Sequence, residues 1–219
     1  MRIVFVSIVV VVLDQLSKIF VKGFSIPFLN VNFAGMTQGQ RIPIIGDFFR
    51  LTFIENPGMA FGYDPGSQVK LWISLFSLLA SAGLLVYLYY IRNQNFSLRL
   101  SIAFILGGAV GNLIDRMFYG VFYGYAPLFY GKVVDFLDFD FFNISLLGRS
   151  YDRWPIFNFA DAAVSIGVLI LILFYKRHNK EKEETEAFET NLQVESNAGQ
   201  QIIKEDLNGE TDKGKEIQD

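Results

Sequence analysis

Residues 3–21 read IVFVSIVVVVLDQLSKIFV, and this run decides the fold. As a helix rising about 1.5 Å per residue it is long enough to cross the ~30 Å hydrocarbon core of a bilayer. Asp14, Gln15 and Lys18 interrupt its apolar face. An ionisable group at the centre of a spanning helix costs on the order of 2.5–3.5 kcal/mol on insertion scales, so it requires a partner, a water-filled cavity or a function. Asp14 and Lys18 stand four residues apart and share a helical face, which suits a structural ion pair or part of a site. Gln15 needs no more than an interhelical hydrogen bond. A secretory signal peptide competes for the run, because residues 3–13 match the length of its apolar region. No small-residue A-x-A cleavage site follows, so the run is expected to persist as a membrane helix.

Outward from this run, three more apolar stretches occupy about residues 69–91, 98–118 and 156–175, each long enough to span. A membrane all-α fold follows, a four-helix bundle over residues 1–178. Arg2, Arg92, Arg99, Lys176 and Arg177 fall on one side if the helices alternate, and they outweigh Lys22, Arg41 and Lys132 on the other. The positive-inside bias then makes both termini cytoplasmic. The long connections, at about residues 22–68 and 119–155, face outward. Residues 179–219 are rich in Glu, Lys, Asn and Gln with few apolar side chains, and are expected to form a disordered cytoplasmic tail.

Hydrophobic residues make up 52% of the 219, little above the ~45–50% of soluble domains. The polar tail concentrates them in the remainder, which favours a membrane protein over a large soluble core. Net charge is -3 and no basic stripe is interleaved with aromatics, so nucleic acid is not an expected partner. Cysteine is absent and His178 is the lone histidine. Disulfides, thiolate sites, a Cys nucleophile, a Ser-His pair and an HExxH zinc site are thereby excluded or left without support.

The outward segments carry patterned sequence. FFRLTFIENPGMAFG (residues 48–62) is β-rich up to Ile54, and its Pro57-Gly58 suits a type II turn. KVVDFLDFDFFNISLLG (residues 132–148) is aromatic and β-branched, which predicts short strands or an interfacial segment. Together they predict a small β-rich platform at the outer surface. GGAVGNLIDR (residues 107–116) places Gly107 and Gly111 on a small-xxx-small face. Asn112, Asp115 and Arg116 follow on one face, reading either as an Asp115–Arg116 network closing the helix end or as support for a site. Asp135 stands between Val134 and Phe136, with Asp138 and Asp140 read as ordinary loop carboxylates. In FNFADAAVSIG (residues 157–167) Asn158 suits a helix N-cap, with Asp161 in the first turn. Asp135, Asp161, Asn112, Asp115 and Arg116 all fall at the same outer interface.

In order along residues 3–175, DQLSK, NPGMAFG, GGAVGNLIDR, VVDF and FNFADAAVSIG resemble the motif set of the lipoprotein signal peptidase (signal peptidase II) family. The resemblance implies an aspartyl endopeptidase of the bacterial inner membrane, with four helices and a small periplasmic platform. It implies prolipoproteins carrying diacylglycerol on the cysteine after the cut as substrates, membrane lipid around it, a monomer, and no metal or organic cofactor. The family's catalytic aspartates fall on Asp135 and Asp161. Supporting and substrate-binding positions fall on Asp14, Lys18, Asn56, Gly58, Asn112, Asp115, Arg116 and Asn158. The links from Arg116 to Asp135 and from Phe136 to Phe157 are longer than is usual there, as is the first outer connection, and the polar tail has no counterpart in compact members.

Two other classes compete. A small polytopic transporter or channel would line a polar path with Asp14, Lys18, Asp115 and Arg116, and a membrane scaffold would recruit partners through its tail. Cleavage of a lipidated precursor separates a peptidase from both.

Overall fold

The computed structural model describes residues 2–58, 66–140, 144–146, 149–151 and 153–174; the expectations for residues 59–62 and for the tail from residue 175 onward lie outside them. Met1–Leu171 form one compact unit, which contains every site residue. Its helical part is α1 (Val4–Lys22), α2 (Ser67–Tyr90) and α3 (Phe96–Ile114). From α3 the chain passes without a break through a π-helical turn, Asp115–Tyr119, into the short α4 (Gly120–Phe122). A last apolar helix, α5, covers Phe159–Phe174.

Among the described residues three helices are long and apolar enough to cross a membrane, Val4–Lys22, Ser67–Tyr90 and Phe96–Phe122, while α5 is shorter over its described length. Phe5, Phe20, Phe76 and Leu79 are each more than half exposed. So large an outward apolar surface is satisfied by lipid. The protein is a multi-pass membrane protein.

α1 buries a stripe of Ser7, Val10, Asp14, Lys18 and Val21, the three-and-four spacing of one helical face. That face meets α3. A Cβ on Gly107 would lie 2.7 Å from Val10 Cβ, and one on Gly111 would lie 2.6 Å from the Asp14 carboxylate. The small-xxx-small pair therefore does what the sequence predicts, and it brings a carboxylate against the α3 backbone. Ser7 Oγ adds a 2.8 Å hydrogen bond to Ala103 O. α2 buries a narrower seam, Ser74, Ser81 and Leu88.

Beyond the helices stands a three-stranded antiparallel sheet in the order β3 (Arg41–Ile45), β4 (Phe49–Asn56), β5 (Val133–Phe139). β1 (Phe24–Ile26) pairs with β2 (Val31–Phe33), and β6 (Ile144–Leu146) with β7 (Arg149–Tyr151). α1 stops at Gly23, whose φ of 81° lets the chain turn into β1. Ile54 of β4 lies opposite Asp135, and Asn56 opposite Val133, beyond a bulge after Leu51. The platform's core contains Val21, Phe53, Tyr119, Val134, Phe136 and Leu137, so the end of α1 and the π turn share it with the sheet.

Three boundaries differ from the sequence reading. The strand runs on past Ile54 to Asn56, which places Asn56 on β4 and not in the turn. The third helix starts at Phe96, where Asn95 caps it by accepting from Ser97 N at 3.3 Å. The last helix starts at Phe159, not near residue 156. Phe157 pairs with Leu137 as an isolated bridge, which holds its backbone extended until Asn158.

Candidate active site

Asn56, Gly58, Arg116, Asp135 and Asp161 line one cavity of about 710 Å³, between the ends of the membrane helices and the sheet. Each arrives from a different element: β4, its following turn, the π turn, β5 and the first turn of α5. Asp135 is only 4% exposed, and Asn158 beside it is fully buried. The sequence reading names all of these residues, and the structure brings them together.

Two asparagine amides connect the two carboxylates, and a third holds Asp135 alone. Asn158 Nδ2 donates to Asp135 Oδ1 at 2.7 Å and to Asn112 Oδ1 at 3.1 Å. Asn112 Nδ2 donates to Asp161 Oδ1 at 2.8 Å. Asn56 Nδ2 reaches Asp135 Oδ2 at 3.2 Å. Asn158 and Asp161 also close a reciprocal cap at the start of α5. Asp161 N donates to Asn158 Oδ1 at 2.9 Å, and Asn158 N donates to Asp161 Oδ2 at 3.2 Å. Such a box satisfies two orphan amides of a helix start. The cap expected of Asn158 is thus formed through its oxygen, while the nitrogen of the same side chain donates to Asp135.

Gly58 holds φ at 119°, a conformation that glycine adopts without strain. Its N–H donates to Asn56 Oδ1 at 2.9 Å. With its oxygen so engaged, the Asn56 amide can turn only its NH2 toward Asp135.

Behind the cavity lies a closed polar cluster. Lys18 Nζ stands 2.8 Å from Asp14 and 2.7 Å from Asp115, with all three side chains fully buried. It also donates to Asn112 Oδ1 at 3.0 Å. Asp14 accepts from Ala160 N at 2.9 Å, and Asp115 from Val134 N at 3.2 Å. Gln15 Nε2 donates to Asp115 Oδ1 at 2.9 Å and to Gly111 O at 3.0 Å, the interhelical role expected of it. α1, α3, β5 and α5 are therefore fastened through one ammonium and two carboxylates.

Of the two readings of Asp115, the network with Arg116 is not the one formed, because Asp115 turns inward to Lys18. The Arg116 Nε is buried and finds no hydrogen-bond partner among the described residues, with Asp135 and Asp161 on the same cavity wall. Nor is Asp138 an ordinary loop carboxylate. It is 3% exposed, accepts from Thr52 Oγ1 at 2.6 Å and receives Arg153 Nε at 2.7 Å. Asp140 likewise accepts from Arg153 Nη1, at 3.1 Å. The sequence reading also passes over Glu55, which is bound by Lys22 and by Lys132. These partners lie 33 and 77 residues away along the chain, and no local pattern announces them.

Burial pushes the Asp135 carboxyl up to about 7, helped by the charge of Asp161 and opposed by a hydrogen bond from Asn56, the charge of Lys18 and a hydrogen bond from Asn158. Two carboxyls on one cavity wall resist joint ionisation, so the charge of Asp161 favours a proton on Asp135. Such a pair offers a proton acceptor and a proton donor at the same pH. Among the described residues no group of three His, Asp or Glu side chains is arranged to hold a metal ion.

Residues 6–176 match the family model described as signal peptidase (SPase) II. A lipoprotein signal peptidase from Pelodictyon phaeoclathratiforme is 36% identical over 177 residues, 80% of this chain and 88% of that protein. One from Desulfitobacterium hafniense is 35% identical over 176 residues, 80% of this chain and 92% of that protein. A solved bacterial membrane enzyme shares the fold with a TM-score of 0.56 at 26% identity, covering 81% of this chain and 89% of that one. Matched over most of its own length and most of theirs, the chain belongs to the signal peptidase II family.

Proposed function

We propose that Asp135 and Asp161 are the catalytic pair with which this aspartic endopeptidase removes signal peptides from prolipoproteins. The observation that carries the assignment is their shared cavity, in which Asn112 and Asn158 link one carboxylate to the other. The ionised partner takes a proton from a water as its oxygen attacks the scissile carbonyl. The protonated partner hydrogen-bonds that carbonyl oxygen. On collapse of the tetrahedral species the C–N bond breaks and the leaving amine takes a proton, so the pair ends with the single proton it began with. General acid–base transfer of this kind contributes typically 10²–10⁴-fold, and positioning supplies more.

The substrate is a prolipoprotein bearing diacylglycerol on the cysteine after the cut. Its acyl chains stay in the bilayer, which suits a cavity between spanning helices and an extramembrane sheet. The same placement supports a periplasmic platform, four spans with α5 as the last, and both termini on the cytoplasmic side of the inner membrane. Residues 1–178 then form the peptidase unit, a monomer surrounded by lipid, and residues 179–219 a cytoplasmic extension. A conduction path through Asp14, Lys18 and Asp115 finds no support, because the three side chains are fully buried against one another.

Asp135→Asn and Asp161→Asn are expected to insert normally and to accumulate uncut, lipidated precursor in a reconstituted cleavage assay. Parental turnover in either variant defeats that residue's assignment. The pH dependence follows from the raised Asp135 carboxyl: the proton donor is lost as pH rises through about 7. Asp161→Asn removes a neighbouring negative charge, so the Asp135 carboxyl titrates lower than in the parent. Its infrared band followed against pH reads this shift.

A further inference from the structure

We infer that Lys18 is a positioning residue for the aspartate pair, acting through the amide of Asn112. This rests on the assignment of Asp135 and Asp161 as the catalytic pair. A side-chain amide has an oxygen that only accepts and a nitrogen that only donates, and its hydrogen-bond partners decide which way it faces. Each of the three asparagines has its oxygen fixed by a donor. For Asn56 that donor is the backbone N–H of Gly58, and for Asn158 it is the backbone N–H of Asp161. For Asn112 it is the Lys18 ammonium, at 3.0 Å. Asn112 is therefore the one amide of the three whose orientation depends on a side chain.

An ammonium has three donors and no acceptor. Lys18 spends them on Asp14, Asp115 and Asn112, so nothing but an oxygen can face it. Asn112 Nδ2 must then point at Asp161 Oδ1, 2.8 Å away. The other donor to Asn112 Oδ1 is Asn158 Nδ2, at 3.1 Å, which also serves Asp135 Oδ1 and Val134 O. Two hydrogens divided among three acceptors hold the amide weakly. With Lys18 removed, Asn112 is free to turn its oxygen toward Asp161, where two sets of lone pairs meet unless a proton lies between them. Lys18 thus favours the arrangement in which Asp161 Oδ1 accepts from Asn112. Arg116, on the same cavity wall, makes no described contact with Asn112 and does not fix it.

Lys18→Met alone would strand two buried carboxylates, so the test pairs it with Asp115→Asn, which removes one charge of each sign. Asp115→Asn alone keeps Lys18 on Asn112 and serves as the reference. Cleavage of a lipidated precursor in detergent micelles is followed against pH. Relative to the reference, the paired variant is expected to lose at least about tenfold in kcat with KM changed less than about twofold, because the base loses its orientation while substrate contacts remain. The acidic limb of its kcat profile moves up by about one pH unit, as loss of a donor to the charged form requires. Asn112→Leu should give the same displacement, and adding it to the paired variant should move the limb no further, since both act on one amide. An unmoved limb, or displacements that add, overturns the inference. If the paired variant fails to insert, Lys18→Leu with Asp115→Asn takes its place and is judged by the same criterion. Asp135→Asn and Asp161→Asn run alongside: turnover in those defeats the catalytic assignment, whereas an unmoved limb with both of them inactive defeats only the positioning role.

Discussion

Lys18 and Arg153 are each clasped by two aspartates, yet they sit in different media. Lys18, Asp14 and Asp115 are fully buried among the helices. The Arg153 side chain is 22% exposed on the platform, with Asp138 at 4% and Asp140 at 36%. The choice of cation follows the task. The ammonium offers three point donors that converge on partners from two helices. The guanidinium is a planar fork, and it spreads to Asp138, to Asp140 and to the carbonyl of Asp47 at 3.0 Å. It thereby ties the β3–β4 turn and β5 to the segment entering α5. The comparison teaches that depth, more than the count of ion pairs, sets what each cluster is worth. Removing one member of a buried cluster leaves an uncompensated charge, at about 3–5 kcal/mol, whereas an exposed pair is worth about 0–1 kcal/mol.

Lys18→Met as a single change is the severest way to break this contrast. It leaves Asp14 and Asp115 facing one another without a cation, and a loss of about 3–5 kcal/mol is expected. Yield in the membrane fraction and thermal unfolding in detergent measure it. A variant as stable as the parent would show that the cluster holds only one charge of either sign. Arg153→Met should cost less, about 1–3 kcal/mol, because Asp138 stays buried but keeps the Thr52 hydroxyl while Asp140 reaches solvent. The variant should also raise KM, since the segment Arg153 anchors forms the cavity wall at Trp154 and Phe157. Equal losses for Lys18→Met and Arg153→Met would erase the distinction between the two media.

Sequence and structure agree where chemistry is local and part where pairing is remote. The face carrying Asp14 and Lys18 and the close approach at Gly107 and Gly111 follow from helical spacing alone. So does the cap formed by Asn158 and Asp161. The partner of Asp115 does not follow, because Arg116 is adjacent in sequence while Lys18 lies on another helix. Asp138 and Asp140 look alike in VVDFLDFD. Only the register with β4 places Asp138 within reach of the Thr52 hydroxyl. The start of α5 shifts for the same reason, since Phe157 is claimed by Leu137 across the sheet. Asp135, Asp161 and Lys18 were each legible through the motifs around them, whereas the contact from Lys18 to Asn112 was not, because it joins residues 94 apart along the chain.

A third cluster sharpens the contrast at its weak end. Glu55 is held by both Lys22 and Lys132, with Lys132 the more exposed of the two cations, at 33%. Burial pushes the Glu55 carboxyl up, but hydrogen bonds and charge from Lys22, then from Lys132, outweigh it and hold the group below its ordinary value. A depressed carboxyl contributes stability that is present above its unfolded-state pKa and is lost as pH falls through its folded-state value. Lys132→Met should cost no more than about 1 kcal/mol at neutral pH, because Lys22 remains. The difference from the parent should shrink as pH falls through the depressed folded-state value of Glu55, below which the group is protonated in both proteins. Thermal unfolding of the two at neutral and acid pH tests this. A gap that stays constant across that range would assign the stabilisation to packing of the Lys132 stem against Tyr125, whose ring lies 5.5 Å from the ammonium, and not to charge.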